Sequence, residues 1–240
     1  MKPILFVLSL ITASMVYTQS YVDSGIRHFN LGEYDEALVD FESAEEIKSM
    51  LTESAKAKIY FYTGLIWLSK AEKSGGNSSE QDFLQLAYDN LSTAMRLDTD
   101  WEESVNKAYK QLSTLLMNEA DSYIKLEKKA DGVDEKTAIL DKRIDKLMLV
   151  EKLGVSSLVH LYLGQTNKQA GDLIFNSTTN VLEMQKAKKY YEESLKYYEL
   201  ARYDDPFSKE IIEDLLTISK RLGDVDRIAE YEKLMKLSGG

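Results

Sequence analysis

From Tyr21 onward the apolar residues return every three or four positions, and short turns containing glycine interrupt them. Val22, Ile26 and Phe29 have this spacing and end at Asn30-Leu31-Gly32. Directly afterwards Tyr34, Ala37, Leu38, Phe41 and Ala44 line one helical face, and Asp35, Glu36, Asp40, Glu42 and Glu45 fall toward water. A stripe of this period buries one side of a helix and solvates the other, so the segment predicts two antiparallel helices joined by a glycine turn.

The same alternation predicts further pairs. Ala55 to Lys73 reads as a helix with Tyr60, Gly64 and Trp67 on its stripe, followed by a loop over Ser74 to Ser79 and a second helix carrying Ala87, Leu91 and Ala94. A helix from Trp101 to about Lys129 and another from Asp134 to Leu153 form a third pair, with Ile139, Leu140, Ile144, Leu147, Met148 and Leu153 at apolar spacing. The fourth runs from Val155, through Gly164, to the string holding Tyr191, Ser194, Tyr198, Ala201 and Pro206. A last pair, Phe207 to Leu222 and Asp224 to Leu237, turns at Gly223, with Val225 and Ile228 on its stripe.

In the first unit the small residues and the aromatic stand at offsets that resemble the tetratricopeptide repeat: Gly25, Ala37, Phe41 and Ala44, with Gly32 and Tyr34 at the turn. Gly64, Ala87 and Ala94, then Gly164, Tyr191, Ser194, Tyr198, Ala201 and Pro206, repeat parts of that pattern, whereas the third pair loses it. The resemblance implies an all-α fold, a tetratricopeptide-like α-solenoid of about five antiparallel helix pairs near 21–49, 52–98, 101–153, 155–205 and 207–237, some with lengthened helices. Glycine and alanine would let backbones touch while the aromatic fills the gap to the next unit. In such proteins the first helix of each pair lines a groove, which here would present Val22, Ile26, Phe29, Phe61, Leu65 and Leu68. The lysine and asparagine with which chaperone-binding members clamp a terminal carboxylate would fall at Val22 and Ile26, which argues against that ligand. Glu232 would occupy the aromatic place of the last pair, as suits a capping helix with a polar outer face.

Composition narrows the reading. Only two prolines occur in 240 residues, consistent with long helices, and the formal charge of −10 opposes a phosphate backbone. The densest basic stretch, Lys125 to Lys152, balances eight Lys or Arg against seven Asp or Glu, so no nucleic-acid partner is expected. Residues Met1 to Ser20 hold Lys2 and then an apolar run from Ile4 to Val16, too short to span a bilayer comfortably and suited to a secretory signal. The body, 21–240, is therefore expected to be exported, periplasmic or extracellular. An uncleaved anchor is the alternative, and the only route to a membrane. The absence of cysteine excludes disulfides, thiol nucleophiles and a thiol-linked lipid anchor.

Material for catalysis is sparse. His28 and His160 lie in different units with no ligand spacing, and the acidic string from Asp98 fails as a calcium loop because Glu103 stands where glycine is needed. Asp98 to Glu103 and Asp204-Asp205 read instead as helix caps. No enzyme activity, cofactor or metal is expected. The fifteen tyrosines include the doublets Tyr190-Tyr191 and Tyr197-Tyr198, whose seven-residue spacing predicts a packed seam. The reading that follows is a non-enzymatic scaffold that holds a protein partner. A glycan or small-ligand module, or an accessory subunit of an outer-membrane assembly or secretion complex, is the alternative.

Replacing Ala37 or Ala44 by Leu is expected to overpack the first pair and cost about 1 to 3 kcal/mol, seen as a lowered urea midpoint. Unchanged unfolding of both variants would remove the basis for the repeat assignment.

Overall fold

The computed structural model describes residues 20–47, 49, 51–74, 82–154, 156 and 158–238. The signal segment and most of the loop after Ser74 lie outside the described residues. Ten α-helices are present among those described: α1 over 20–31, α2 Tyr34–Glu46, α3 Glu53–Ser74, α4 Phe83–Leu97, α5 Glu102–Glu127, α6 Val133–Leu153, α7 Val159–Ser177, α8 Val181–Asp204, α9 Lys209–Leu222 and α10 Val225–Ser238. No described helix is long and apolar enough to cross a membrane. By contact the chain divides within α5 into two compact units, Met1–Leu115 and Leu116–Gly240.

Sequential helices pair antiparallel in both units. In α7 and α8, Gly164 meets Tyr198 while Gly171 meets Tyr191, so one index falls as the other rises. Gly64 meets Leu91 between α3 and α4, and Gly25 meets Phe41 between α1 and α2. Each contact places a glycine under a large side chain, and α3–α4 and α7–α8 stay in contact along much of their length. Turns need glycine for a different reason: Gly32, for example, has φ 79° and Gly223 φ 71°, with no neighbour that a Cβ would strike. The left-handed region is open to glycine without the usual steric cost.

In the first unit the core joins Val22, Ala37, Phe41, Ala44, Leu51, Ala55, Ile59 and Ile66, with Ile26, Phe29, Tyr34, Leu38 and Tyr62 packed on it. Ala87, Leu91 and Ala94 are likewise fully buried. Across the pairs Lys70 Nζ reaches Asp35 at 2.6 Å, and the ring of Phe61 lies 4.6 Å from that of Trp101. Asp98 accepts the backbone N–H of Asp100 and so caps the short 3₁₀ turn Thr99–Trp101 ahead of α5.

The second unit centres on α8. Ala187, Tyr191, Leu195, Tyr198 and Ala201 pack with Ile174 of α7, with Ile211, Ile212, Leu215 and Ile218 of α9, and with Tyr231 of α10. Ser194, fully buried, donates to the Gly164 carbonyl at 2.7 Å, so a hydroxyl is satisfied at the point of closest approach. In α6 the apolar period is only partly realised: Leu140, Leu147 and Leu153 are buried but Met148 is exposed, and Arg143 and Lys146 are buried instead.

Two sequence expectations change. The aromatic of α10 is Tyr231, 1% exposed, and not the place held by exposed Glu232. The helical phase is set by packing on α8 and α9, which turns residue 231 inward. Asp204 ends α8 and Asp205 is its C-cap, while α9 starts from Ser208 without a side-chain cap, so the acidic pair does not cap α9. Pro206 occupies the exposed turn between α8 and α9.

A Cβ on Gly164 would sit 2.9 to 3.1 Å from ring carbons of Tyr198, which has no exposed surface into which it could retreat. Gly164→Ala is therefore expected to lose about 1–3 kcal/mol in urea unfolding. Gly223→Asn, which meets no neighbour and retains a residue tolerant of positive φ, should lose less than about 1 kcal/mol. A reversed order would contradict glycine-mediated close approach.

Candidate functional site

The six residues expected to line an apolar groove belong to the protein's own packing. Val22 is 0% exposed, Phe61 8% and Leu68 2%, while Ile26, Phe29 and Leu65 are half-buried. Val22 sits in the core with Phe41 and Ala44, and Ile26 and Phe29 pack against that core. Phe29 also meets the ring of Tyr62 edge-on at 5.0 Å. Val22, Phe61 and Leu68 therefore offer no open apolar surface, while Ile26, Phe29 and Leu65 keep part of theirs.

An open surface built on first helices lies in the second unit, between α7 and α9. A cleft of about 470 Å³ is walled by Gln165, Lys168, Gln169, Asp172, Leu173, Asn176 and Ser177 of α7, with Tyr198 of α8 beneath and Asp214 of α9 opposite. The α7 residues recur at helical spacing on the side away from Leu163, Ala170 and Ile174, which are buried. Amide and charged side chains supply most of the lining residues, with Leu173 and the side-chain stems adding hydrocarbon between them.

Its centre is a connected network. Lys168 Nζ lies 3.5 Å from Asp172 Oδ2 and 3.4 Å from Asp214 Oδ1. The other oxygen of each carboxylate accepts a tyrosine hydroxyl: Tyr191 donates to Asp172 Oδ1 at 2.7 Å, and Tyr198 donates to Asp214 Oδ2. Both rings are buried, so each phenol carries its hydroxyl from the core to the cleft wall and fixes the rotamer of an acid there. Burial first, then the bonds to Asp172 and Asp214, push the Tyr191 and Tyr198 phenols well above the ordinary range. Tyr60, in the first unit, is pushed up to about 12, chiefly by its hydrogen bond to Glu45 and then by burial.

The tyrosine doublets thus form the packed seam read from their spacing: Tyr191, Tyr197 and Tyr198 are buried and Tyr190 is half-buried. Sequence reasoning did not pick out Lys168, Asp172 and Asp214. A polar stripe opposite an apolar one reads as solvated surface, and only the stacking of two pairs brings α9 beside α7. The histidines serve cohesion. His28 Nδ1 is 2.9 Å from Asp40, linking α1 to α2, and His160 Nε2 is 3.4 Å from Glu151, linking α7 to α6. Among the described residues no group of three His, Asp or Glu side chains could hold a metal ion.

Set against known proteins, the chain matches no family model and no curated protein. Solved structures it is similar to include a MamA protein (12% identity, 92% of this chain and 91% of that one, TM-score 0.29) and MamA MSR-1 C2 (13%, 93% and 99%, TM-score 0.28). A third is TTC0263, a thermophilic TPR protein of Thermus thermophilus (17% identity, 91% and 98%, TM-score 0.28). Likeness at these scores carries no functional argument.

Tyrosines with raised folded-state pKa values dictate an alkaline limb of stability. A phenol that holds its proton more tightly in the native state than the unfolded value of about 10 contributes stability that is complete below pH ~10. That contribution is lost as pH rises through the folded values. Urea midpoints should therefore be steady from pH 7 to 9 and fall above about pH 10. Tyr198→Phe should be about 1–3 kcal/mol less stable at pH 8, having lost a bond to a charged acceptor, and should show a shallower alkaline fall. An alkaline limb of undiminished slope in the variant would contradict this role for Tyr198.

Proposed function

We propose that the protein is a non-enzymatic, tetratricopeptide-like scaffold that works outside the cytoplasm and holds an extended segment of a partner protein along the α7–α9 cleft. The observation that carries the reading is the cleft itself: two successive first helices present Gln165, Gln169 and Asn176 beside the ordered Lys168, Asp172 and Asp214. Side-chain amides donate and accept, which suits the backbone of an extended peptide. Fixed charges add register and discrimination. The cleft's acids are anchored from below by buried phenols, so little ordering cost falls on binding. Export rests on the apolar run Ile4–Val16 behind Lys2.

The glycan alternative asks for exposed aromatic faces in the groove. Among the described residues the one aromatic lining this cleft, Tyr198, is buried with its hydroxyl committed to Asp214, so no ring face is offered for stacking.

A photo-crosslinking amino acid placed at Gln169 should capture one or a few defined protein partners in the exported fraction. The same probe at Val39, 60% exposed on α2, should not. Identical adducts from both sites, or none containing protein from Gln169, would overturn the reading.

A further inference from the structure

A second surface, on α8 and α10, is independent of the cleft. Here Glu192, Leu195, Lys196, Glu199, Leu200 and Tyr203 of α8, with Arg227 of α10, border a hollow of about 620 Å³. Leu195 forms a nearly buried floor, Leu200 is 41% exposed, and Tyr203 is 89% exposed. A tyrosine ring left this open beside an apolar floor is a face that the fold itself does not cover.

We propose that a second copy of this chain covers it, with the two α8 helices antiparallel across a two-fold axis. The charges select this occupant. Running two α8 helices against each other about the midpoint between residues 197 and 198 maps the six α8 residues onto themselves. Leu195 then faces Leu200 of the second copy, Lys196 faces Glu199, and Glu192 faces Tyr203. Apolar meets apolar and cation meets anion, each twice by symmetry, as an isologous interface requires. Glu199 keeps its bonds from Arg202 and Tyr231 of its own chain and takes Lys196 of the second copy as a further cation at the rim of the hollow. Lys196 is available to take part, because its Nζ now pairs at 3.4 Å with Glu193 on the same solvent-facing surface, a contact of little energetic weight. Tyr203 fills the end of the partner hollow and lies along the Lys196 stem, a hot-spot type of anchor.

Sedimentation equilibrium on the full chain should give a concentration-dependent dimer. Tyr203→Asp should raise the dimer dissociation constant by about tenfold or more, as loss of a hot-spot anchor does, while leaving the melting curve of the helices unchanged. The melting curve is spared because Tyr203 contributes almost nothing to the monomer core. Register has its own readout, because the chain has no cysteine. Mixed E192C and Y203C chains should form a heterologous disulfide on mild oxidation. Y203C alone should not, since eleven residues separate 192 from 203 and the two thiols would stand roughly 16 Å apart along the helix. A wild-type monomer at every soluble concentration, a dimer indifferent to Tyr203→Asp, or Y203C self-linking in place of the mixed disulfide would each overturn the proposal. Capture of a different protein at position 203 by a monomeric chain would overturn it as well.

Discussion

How near two helix backbones come decides what the rest of this molecule can do. At Gly164 and Gly171 the α7 backbone lies against the rings of Tyr198 and Tyr191 with no Cβ between. Burying each ring is worth roughly 1.5–3 kcal/mol, but a buried phenol left without an acceptor would return about 1–3 kcal/mol of that. The close approach resolves the conflict. With the ring flat on glycine, the hydroxyl emerges beyond α7 and reaches Asp172 in one case and Asp214 in the other. Phenylalanine would pack as well, yet would leave both acids of the cleft held by Lys168 alone, so one contact both holds a helix pair and builds a wall of the candidate site.

The third pair shows what happens without that device. Neither α5 nor α6 contains a glycine, and charged groups are buried there: Lys146 of α6 meets Glu119 of α5 at 3.4 Å, while Arg143 of α6, 5% exposed, turns to Thr166 of α7 at 2.8 Å. The Arg143 Nε has no hydrogen-bond partner among the described residues, and burial pulls its guanidinium pKa down. Buried ions recover only part of the hydration they lose. Removing a partner from such a set is costly, while the set itself adds little stability. Long polar side chains thus take buried positions in a pair whose sequence drops the small-aromatic-small spacing.

Helix pairing was legible because close approach restricts composition. Gly25 under Phe41 and Gly164 under Tyr198 leave a mark in the sequence that few other constraints leave. Surface function was not legible for the opposite reason. Val22, Phe61 and Leu68 looked like groove residues only because they are apolar on first helices, and that property buried them. Lys168 and Asp214 lie 46 residues apart and carry no spacing rule, since their meeting depends on how one pair stacks on the next. Glu232 against Tyr231 marks the limit of phase reading: one residue is about 100° of rotation, and only tertiary contact selects it.

The same rotation explains the two tyrosine doublets. Adjacent residues on a helix point to different neighbours, and a spacing of seven restores the direction after two turns. Tyr190 and Tyr197 turn to α6, donating to Asp141 at 2.5 Å and Glu151 at 3.4 Å, while Tyr191 and Tyr198 turn to α7 and α9. On a further side Glu199 accepts from Tyr231 of α10. Three sides of α8 are thereby committed to α6, α7, α9 and α10 through hydroxyl-carboxylate pairs. Each pair places a polar tip at the rim of an apolar contact, where misregistration by one residue would strand both a phenol and an acid. The strip from Glu192 to Tyr203 runs along a side of α8 that faces solvent, and its Tyr203 ring is 89% exposed.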